Sequence, residues 1–181
     1  MRHSFFVTII FLCSLIGCTK ENSNPDYKFV ITQLEKNDFY KQLIGHYIVQ
    51  RRGENQYFYM SDPLVTPTFS LSSENQVVLD SVDLEDLHDK LQGKSIPDFE
   101  AYIKDLTITA SIVIPFMREN GVYALDGQRH SKMIVLEILL ENNYALFLVD
   151  KDFDKAKSSM SDSYEYIDQI DSWLIMKRKN L

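Results

Sequence analysis

Cysteine is scarce in this chain, and it is confined to one end. The 181 residues include only two cysteines, Cys13 and Cys18, and both lie close to the N-terminus. The rest of the chain therefore has no thiol for a disulfide bond, a thiolate metal site or a cysteine nucleophile. We expect its folded part to be stabilised by packing and to be insensitive to reductant.

Motifs that mark common enzyme classes are also missing. The six glycines are scattered and form no phosphate-binding loop, and no Gly-x-Ser-x-Gly elbow presents a nucleophilic serine. His46, His88 and His130 lie far apart in the sequence and belong to no metal-binding helix motif. These absences predict no cofactor and no metal ion, and they favour a protein without enzymatic activity.

The chain lacks an excess of positive charge. It has 19 Lys and Arg residues against 26 Asp and Glu residues, which gives a formal net charge of −7 at pH 7. Nucleic-acid binding needs clustered basic side chains, and the only clusters, at residues 51–52 and 177–179, are typical of a strand end and a chain terminus. We predict no nucleic-acid partner. Anionic lipid headgroups would also repel the negative surface, so we do not expect the face of the domain to adhere to a membrane.

The N-terminal segment is short and apolar. Arg2 supplies a positive charge, and residues 5–16 are apolar apart from three interruptions. A membrane-spanning helix needs about 20 apolar residues, so this segment is too short to span a bilayer. Its length and its charged start are typical of a secretory signal. The sequence therefore predicts a segment that is removed during export.

The end of this segment carries a processing motif. Residues 15–18, Leu-Ile-Gly-Cys, resemble the lipobox of bacterial lipoproteins, although a small residue is more common than Ile16 at its position. The resemblance covers residues 1–18 only. It implies cleavage before Cys18 and attachment of a diacylglyceryl group to the Cys18 sulfur, which would anchor the protein in a membrane of the bacterial cell envelope.

The lipobox resemblance divides the chain into three parts. Residues 1–17 are the signal peptide, residues 18–25 are the lipidated cysteine and a polar tether, and residues 26–181 form a single globular domain. In proteins with this kind of signal, Asp after the cysteine favours retention at the inner membrane, and this chain has Thr19 instead. We therefore expect the outer membrane in preference to the inner one.

Hydrophobic periodicity predicts a helix at the start of the domain. Asn24 as N-cap and Pro25 at the first helical position would begin it, Asn37 and Asp38 would interrupt it, and Gly45 would end it. Four residues at helical spacing are expected to form its buried stripe: Tyr27, Val30, Ile31 and Leu34.

Further elements follow from periodicity and turn residues. Helices are expected between the caps Asp83 and Gly93 and at residues 97–106 and 162–169. Residues 172–178 fit either the end of that last helix or a final strand. Strands are expected at residues 47–52, 56–61, 68–71, 76–80, 107–116, 122–125, 133–140 and 144–149.

The order of these elements indicates the fold class. A helix, hairpins, two helices, an antiparallel meander and a helix together predict an α+β domain. Its antiparallel sheet would be built from hairpins and the meander, with the helices packed on one face.

Asp126, Arg129 and His130 form the best polar group in the sequence. They share a glycine-containing loop between two predicted strands, where Asp could orient the imidazole for proton transfer and Arg could hold an anionic substrate group. The simpler interpretation is that Asp-Gly makes a turn and that the charged side chains are solvated. These three residues are therefore weak candidates for a catalytic site.

Asp150, Asp152 and Asp154 alternate like the opening ligands of a calcium-binding loop. The rest of that pattern fails, because Lys155 replaces the turning glycine and Ser161 replaces the bidentate glutamate. We predict that Asp152 is a helix N-cap instead.

Tyr57 and Tyr59 are candidates for binding. In a strand, side chains alternate between faces, so Phe58 and Met60 can fill the core while the two tyrosines point outward. Outward tyrosines combine apolar area with a polar tip, which is typical of protein interfaces and sugar-binding faces. The alternative is that a second layer of structure covers them.

Three functional hypotheses follow. The first is a lipid-anchored envelope protein that binds and occupies a protein or small-ligand partner, of which inhibitor or immunity-type lipoproteins are one form. The second is an envelope hydrolase that uses Asp126, Arg129 and His130. The third is a structural lipoprotein of the envelope.

Overall fold

Nine antiparallel β-strands form one sheet in the computed structural model, which describes residues 26–50, 57–61, 65–83, 98–128 and 133–179. The strand order is β4-β3-β2-β1-β5-β6-β7-β9-β8. The strands are β1 (Tyr47–Gln50), β2 (Tyr57–Ser61), β3 (Thr66–Leu71), β4 (Val77–Asp83), β5 (Val122–Asp126), β6 (Ile134–Leu140), β7 (Tyr144–Val149), β8 (Tyr164–Ile170) and β9 (Trp173–Arg178).

In the described ranges, three α-helices pack against this sheet. They are α1 (Tyr27–Glu35), which continues into a 3₁₀ segment (Lys36–Gln42), α2 (Phe99–Glu119) and α3 (Phe153–Met160). The buried side chains of α1 and α2 meet one face of the sheet, which we call the inner face. The shorter α3 packs on the opposite, outer face, against β7 and β9. The predicted α+β class with an antiparallel sheet is confirmed. Of the described helices, α1 and α2 share one face as predicted, and α3 lies on the other.

The start of α1 differs slightly from the prediction. Asp26, rather than Asn24, is the N-cap, because its carboxylate accepts a hydrogen bond from the Phe29 N–H at 3.0 Å. The predicted interruption is confirmed: Asn37 and Asp38 both have a φ of 55°, which ends the α-helix and turns the chain into the 3₁₀ segment. The predicted stripe is buried at Val30, Ile31 and Leu34.

The largest error of the sequence analysis concerns residues 107–116, which lie in α2 and do not form a strand. Apolar residues alternate along this segment as they do in a strand, but the same segment also has apolar residues at helical spacing. Packing against the sheet favours the helix. Ile108 and Ile112 are exposed in this helix, although strand periodicity placed them in the core. The helical stripe that is buried comprises Leu106, Ala110, Val113, Ile114 and Met117.

The C-terminal region contains a second error. Residues 162–169 were expected to form a helix, but residues 164–169 belong to the edge strand β8, which pairs with β9, and residues 162–163 lie in the turn before it. The open question about residues 172–178 is settled in favour of a strand, β9. A helix does occur nearby, at α3. Asp152 occupies its N-cap position as predicted, but with a left-handed backbone (φ 59°) and without a side-chain capping hydrogen bond.

The remaining hairpins are confirmed. β1 pairs with β2, β3 pairs with β4, and β5, β6 and β7 form the meander. Because residues 107–116 are helical, this meander begins at β5, one link later than predicted. The helix predicted between Asp83 and Gly93 falls largely on residues 84–97, which lie outside the described residues.

Trp173 connects the two ends of the described chain. Its indole is fully buried in the inner-face core, and its Nε1–H donates to the Glu35 carboxylate at 2.6 Å. The Tyr40 ring meets the indole edge-on, with the ring centroids 6.5 Å apart. Trp173 thus fixes the α1 and 3₁₀ region against the last strand of the fold.

Gly127 forms a second connection, at the end of β5. Its carbonyl accepts from the Gly45 N–H at 2.8 Å, and its own N–H donates to the His46 carbonyl at 2.8 Å. A Cβ atom at residue 127 would overlap the Leu43 carbonyl oxygen. The turn that precedes β1 therefore lies directly on the Gly127 backbone.

Candidate functional site

The outer face of the sheet has two different halves. Over β7 and β9 it is covered by α3, and the buried cluster there includes Phe147, Ala156 and Leu174. Over β1 and β2 it carries Tyr47, Val49, Tyr57 and Tyr59, none of which belongs to either buried cluster of the described residues. We call these four residues the tyrosine face.

The predicted alternation along β2 is confirmed. Phe58 and Met60 are fully buried in the inner-face core, whereas Tyr57 is 37% exposed and Tyr59 is partly exposed. In the part of the chain that the structure describes, no helix packs on these tyrosines, because α1 and α2 occupy the inner face and α3 lies over β7 and β9. Their apolar rings and hydroxyl groups are thus presented together at the surface.

Strand register extends this face toward the centre of the sheet. Val49 pairs with Tyr59, and Tyr47 pairs with Asp126 of β5, which in turn pairs with Glu137 of β6. Side chains at paired positions lie on the same face of a sheet. The two groups of candidate residues that the sequence suggested separately, the tyrosines and Asp126, therefore occupy one surface.

Tyr47 lies between these two groups and is affected by both. Burial raises the pKa of the Tyr47 hydroxyl, and the nearby charges of Asp126 and Glu137 and the Tyr123 hydroxyl raise it further. A hydroxyl that stays protonated can donate a hydrogen bond to a ligand throughout the physiological pH range. The centre of the outer face, at Tyr47, Asp126 and Glu137, is accordingly polar. The part of the tyrosine face formed by Val49, Tyr57 and Tyr59 is more apolar.

Glu137 is held by a tyrosine from the far edge of the sheet. The Tyr164 hydroxyl donates to Glu137 Oε1 at 3.1 Å, and the Tyr164 ring lies edge-on to Phe147. Burial, followed by the charge of Glu137 and this hydrogen bond, raises the pKa of Tyr164 from 10.0 to about 12. The pair links β6 to β8 across the outer face.

This shift predicts how stability changes at alkaline pH. The folded state holds the Tyr164 proton more tightly than the unfolded state, so the pair stabilises the fold fully below pH 10 and loses this contribution as pH rises through about 12. We expect a late step in the tyrosinate absorbance titration that is absent in Tyr164→Phe. Tyr166→Phe, on the same strand, is the control and should retain the step. A titration of Tyr164→Phe that matches the unchanged protein would contradict the assignment.

Asp126 has a structural role in its own loop. Its carboxylate accepts from the Gln128 N–H at 2.9 Å, which is the local turn bond that the Asp-Gly sequence favours. The Gln128 amide then donates to the Ser61 carbonyl of β2 at 3.0 Å. The other two residues of the predicted catalytic group, Arg129 and His130, lie outside the described residues.

Two sets of residues are relevant to metal binding, the alternating aspartates at positions 150–154 and the three histidines at positions 46, 88 and 130. Among the described residues, the His, Cys, Asp and Glu side chains include no group of three that could hold a metal ion. The described residues include Asp150, Asp152 and Asp154 as well as His46, while His88 and His130 lie outside them.

The sequence analysis overlooked three residues of this surface: Tyr47, Glu137 and Tyr164. Glu137 could have been noticed, since it is the only charged residue in the apolar run of residues 133–140. Tyr47 could not, because its place beside Asp126 depends on the pairing of β1 with β5. Tyr164 was assigned to a helix, which removed it from the sheet.

Comparisons with known proteins identify no relative of this chain. No protein-family model matches the chain, and no curated protein or solved structure is significantly similar to it. None of the helices in the described ranges combines the length and hydrophobicity needed to cross a bilayer. Cys18 lies outside those ranges.

Proposed function

We propose that this chain is a lipid-anchored binding protein of the bacterial cell envelope, which acts by occupying a partner through its tyrosine face. The observation that carries this proposal is the pair Tyr57 and Tyr59, which project from a sheet face without a covering helix in the described structure. Tyrosine is enriched at binding hot spots because it offers a large, stiff contact area and a hydroxyl group.

The surroundings of the tyrosines suit a protein interface. Val49 adds apolar area beside Tyr59, and Thr68 of β3 pairs with Tyr59 on the other side, so the surface combines apolar and hydroxyl groups. The Tyr47 hydroxyl lies at the edge of this face, and Asp126 and Glu137 on the neighbouring strands add carboxylates beyond it. A mostly apolar centre with a polar border is the usual anatomy of a protein–protein interface. This favours a protein partner over a small ligand.

Inhibitor or immunity-type lipoproteins are the form of binding protein that this arrangement fits best. Such proteins are small acidic domains that act by covering a partner, and they need a stable surface rather than a catalytic group. The present chain is acidic, with a formal net charge of −7. The Asp126 carboxylate, which was a candidate catalytic group, stabilises a turn by accepting from the Gln128 N–H. This comparison is an analogy of properties.

The anchor is the second part of the proposal. The lipobox at residues 15–18 supports acylation of Cys18, and Thr19 supports the outer membrane over the inner one. More than one acyl chain is needed for stable membrane attachment, which lipoprotein-type acylation provides. Mass spectrometry of the mature N-terminus measures this modification directly.

Replacing Tyr57 and Tyr59 together by alanine tests the binding surface. If they are interface anchors, the double variant should weaken partner binding by more than about 1 kcal/mol. Because both side chains are partly buried and pair with neighbouring strands, each replacement should also lower the free energy of unfolding by about 1 kcal/mol through lost cross-strand packing. Photo-crosslinking from position 57 in living cells would capture the partner, and calorimetry with the purified partner would measure the affinity.

Tyr166→Ala is the matched control for this experiment. Tyr166 is 38% exposed, close to the 37% of Tyr57, but it lies on β8 at the opposite end of the sheet. The control should bind the partner with unchanged affinity. Equal affinity of the double variant and the unchanged protein would show that the tyrosine face is not the binding surface.

The two other hypotheses have less support. The hydrolase hypothesis depends on Arg129 and His130, and it predicts a hydrolytic activity that His130→Ala abolishes while the tyrosine replacements leave it intact. The structural hypothesis predicts retention by the cell wall rather than by a single partner. Neither is favoured by an observation on the described residues.

A further inference from the structure

An open apolar groove runs between α1 and α2, on the helical side of the molecule. It has a volume of about 490 Å³. Its floor contains Phe39 and Phe116, whose ring centroids are 5.0 Å apart, and Phe29 and Ile112 form its rims. The two charged side chains on its border, Lys36 and Glu119, have opposite signs. Three uncharged polar residues, Gln33, Asn37 and Asn120, also line it. The groove therefore combines aromatic and aliphatic side chains with polar ones, and its charges cancel.

The exposed stripe of α2 extends this apolar surface by another turn. Ile108 and Ile112 are four positions apart, at i and i+4, so they lie on the same side of the helix. Ile112 is 45% exposed and Ile108 is 50% exposed, whereas the buried stripe of the same helix faces the sheet. Phe29 of α1 is likewise exposed. We call Phe29, Ile108 and Ile112 the helical patch.

Chain length connects the helical patch with the proposed anchor. Eight peptide links separate Cys18 from Asp26. At roughly 3.3–3.6 Å per residue, a fully extended tether of this length reaches at most about 29 Å. Phe29 lies in the first turn of α1, immediately after the tether. An acylated Cys18 would therefore keep the helical patch close to the membrane surface at all times.

We propose that the helical patch lies against the lipid bilayer, with Phe29, Ile108 and Ile112 immersed at the boundary between the headgroups and the acyl chains. This inference depends on the proposed lipid anchor and adds an orientation to it. Contiguous exposed apolar surfaces mark protein or membrane contact sites, and apolar residues of interfacial helices lie about 5–10 Å deep in this boundary.

The anchor explains why a small patch suffices. Tethering turns the second contact into an intramolecular event, so that a weak affinity for lipid is enough to keep the patch bound. The net negative charge of the chain disfavours attraction to anionic headgroups, but immersion of apolar side chains does not require such attraction. The exposed charges near the patch have opposite signs, Lys36 with Glu119 beside the groove and Lys104 with Asp105 one turn before Ile108, so no net local charge opposes immersion.

This orientation has a consequence for the tyrosine face. The helical patch is on the side of the sheet that α1 and α2 cover, and the tyrosine face is on the other side. With the helices on the membrane, Tyr57 and Tyr59 point away from it. The protein would thus present its binding surface to the aqueous compartment, where a soluble partner can reach it.

The scarcity of cysteine permits a direct test. In the mature, acylated protein Cys13 has been removed and Cys18 is modified, so Ile112→Cys provides a single reactive thiol. The thiol is labelled with an environment-sensitive fluorophore, and the acylated protein is reconstituted into vesicles that contain brominated phosphatidylcholine. We expect a blue-shifted emission and strong quenching by the brominated chains.

Val78→Cys is the matched control. Val78 is 47% exposed, similar to Ile112, but it lies on β4, and its pairing with Ser70 places it on the outer face. Quenching at position 112 should exceed quenching at position 78 several-fold. Adding Phe29→Glu to the Ile112→Cys protein should reduce the quenching at position 112, since a charge would then have to enter the boundary.

Three results would overturn the inference. The first is equal quenching at positions 112 and 78. The second is quenching at position 112 that Phe29→Glu leaves unchanged. The third is a blue shift that grows with protein density and occurs without quenching by brominated lipid, which would indicate a second copy on the patch. Failure of the anchor itself is distinguishable, because the unmodified protein would then not float with the vesicles at all.

Discussion

Replacing Trp173 by alanine is expected to lower the free energy of unfolding by about 3–5 kcal/mol, the usual cost of truncating a fully buried tryptophan or phenylalanine. Trp173 is the only tryptophan of the chain, and its side chain is fully buried. Truncation would leave a cavity beneath Tyr40 and remove the donor that Glu35 accepts from. Chemical denaturation followed by circular dichroism measures the change, because the variant has no indole fluorescence.

Two further variants separate packing from hydrogen bonding at this site. Trp173→Phe retains most of the apolar contact but loses the bond to Glu35, and Glu35→Ala loses the bond but retains the indole. Glu35 is exposed, so loss of this bond should cost only about 1–2 kcal/mol. A cost of Trp173→Ala no greater than that of Glu35→Ala would contradict the assignment of Trp173 to the core.

Replacing Gly127 by alanine is expected to destabilise the protein by about 3 kcal/mol, at the upper end of the cost of overpacking. A Cβ atom there would overlap the Leu43 carbonyl oxygen and approach Ile44 Cα at 3.0 Å, and both belong to the backbone. The two hydrogen bonds that join Gly127 to Gly45 and His46 would have to lengthen. The midpoint of urea denaturation measures the effect.

Gly121→Ala is the control for this experiment. Gly121 has a φ of +61°, but its nearest neighbour is a flexible side-chain oxygen of Glu141 at 3.9 Å. Its replacement should cost only the strain of a left-handed alanine, about 1–2 kcal/mol. If Gly121→Ala proved more costly than Gly127→Ala, the close approach of the two backbone segments at Gly127 could not be correct.

Sequence patterns predicted the hairpins well because they rely on local information. Alternation along residues 57–60 placed Phe58 and Met60 inside and the tyrosines outside. The break after α1 followed from Asn37 and Asp38, whose side chains tolerate a left-handed backbone. These features depend on neighbours in the sequence.

Residues 107–116 and 162–169 were misassigned because each segment satisfies more than one periodicity. In α2, threonine and isoleucine favour a strand intrinsically, and only burial of Ala110 and Val113 against the sheet decides for the helix. β8 is an edge strand with mostly exposed, polar side chains, so it lacks the hydrophobic alternation of a half-buried strand.

The candidate surface was only partly accessible from the sequence for a related reason. Tyr57 and Tyr59 were identified from alternation alone. Their association with Asp126 required the pairing of β1 with β5, which joins strands separated by about 70 residues of sequence, including all of α2. No local pattern encodes such a pairing.

The bond between Trp173 and Glu35 spans 138 positions of the sequence, so the first and last structural elements of the described chain meet in the core. Such non-local contacts form late, because the entropy of closing a long loop is lost before the contact is gained. The inner-face core cannot be completed until β9 is available. A chain that emerges from the ribosome N-terminus first therefore holds α1 without its partner strand, and it completes this core only once β9 has emerged.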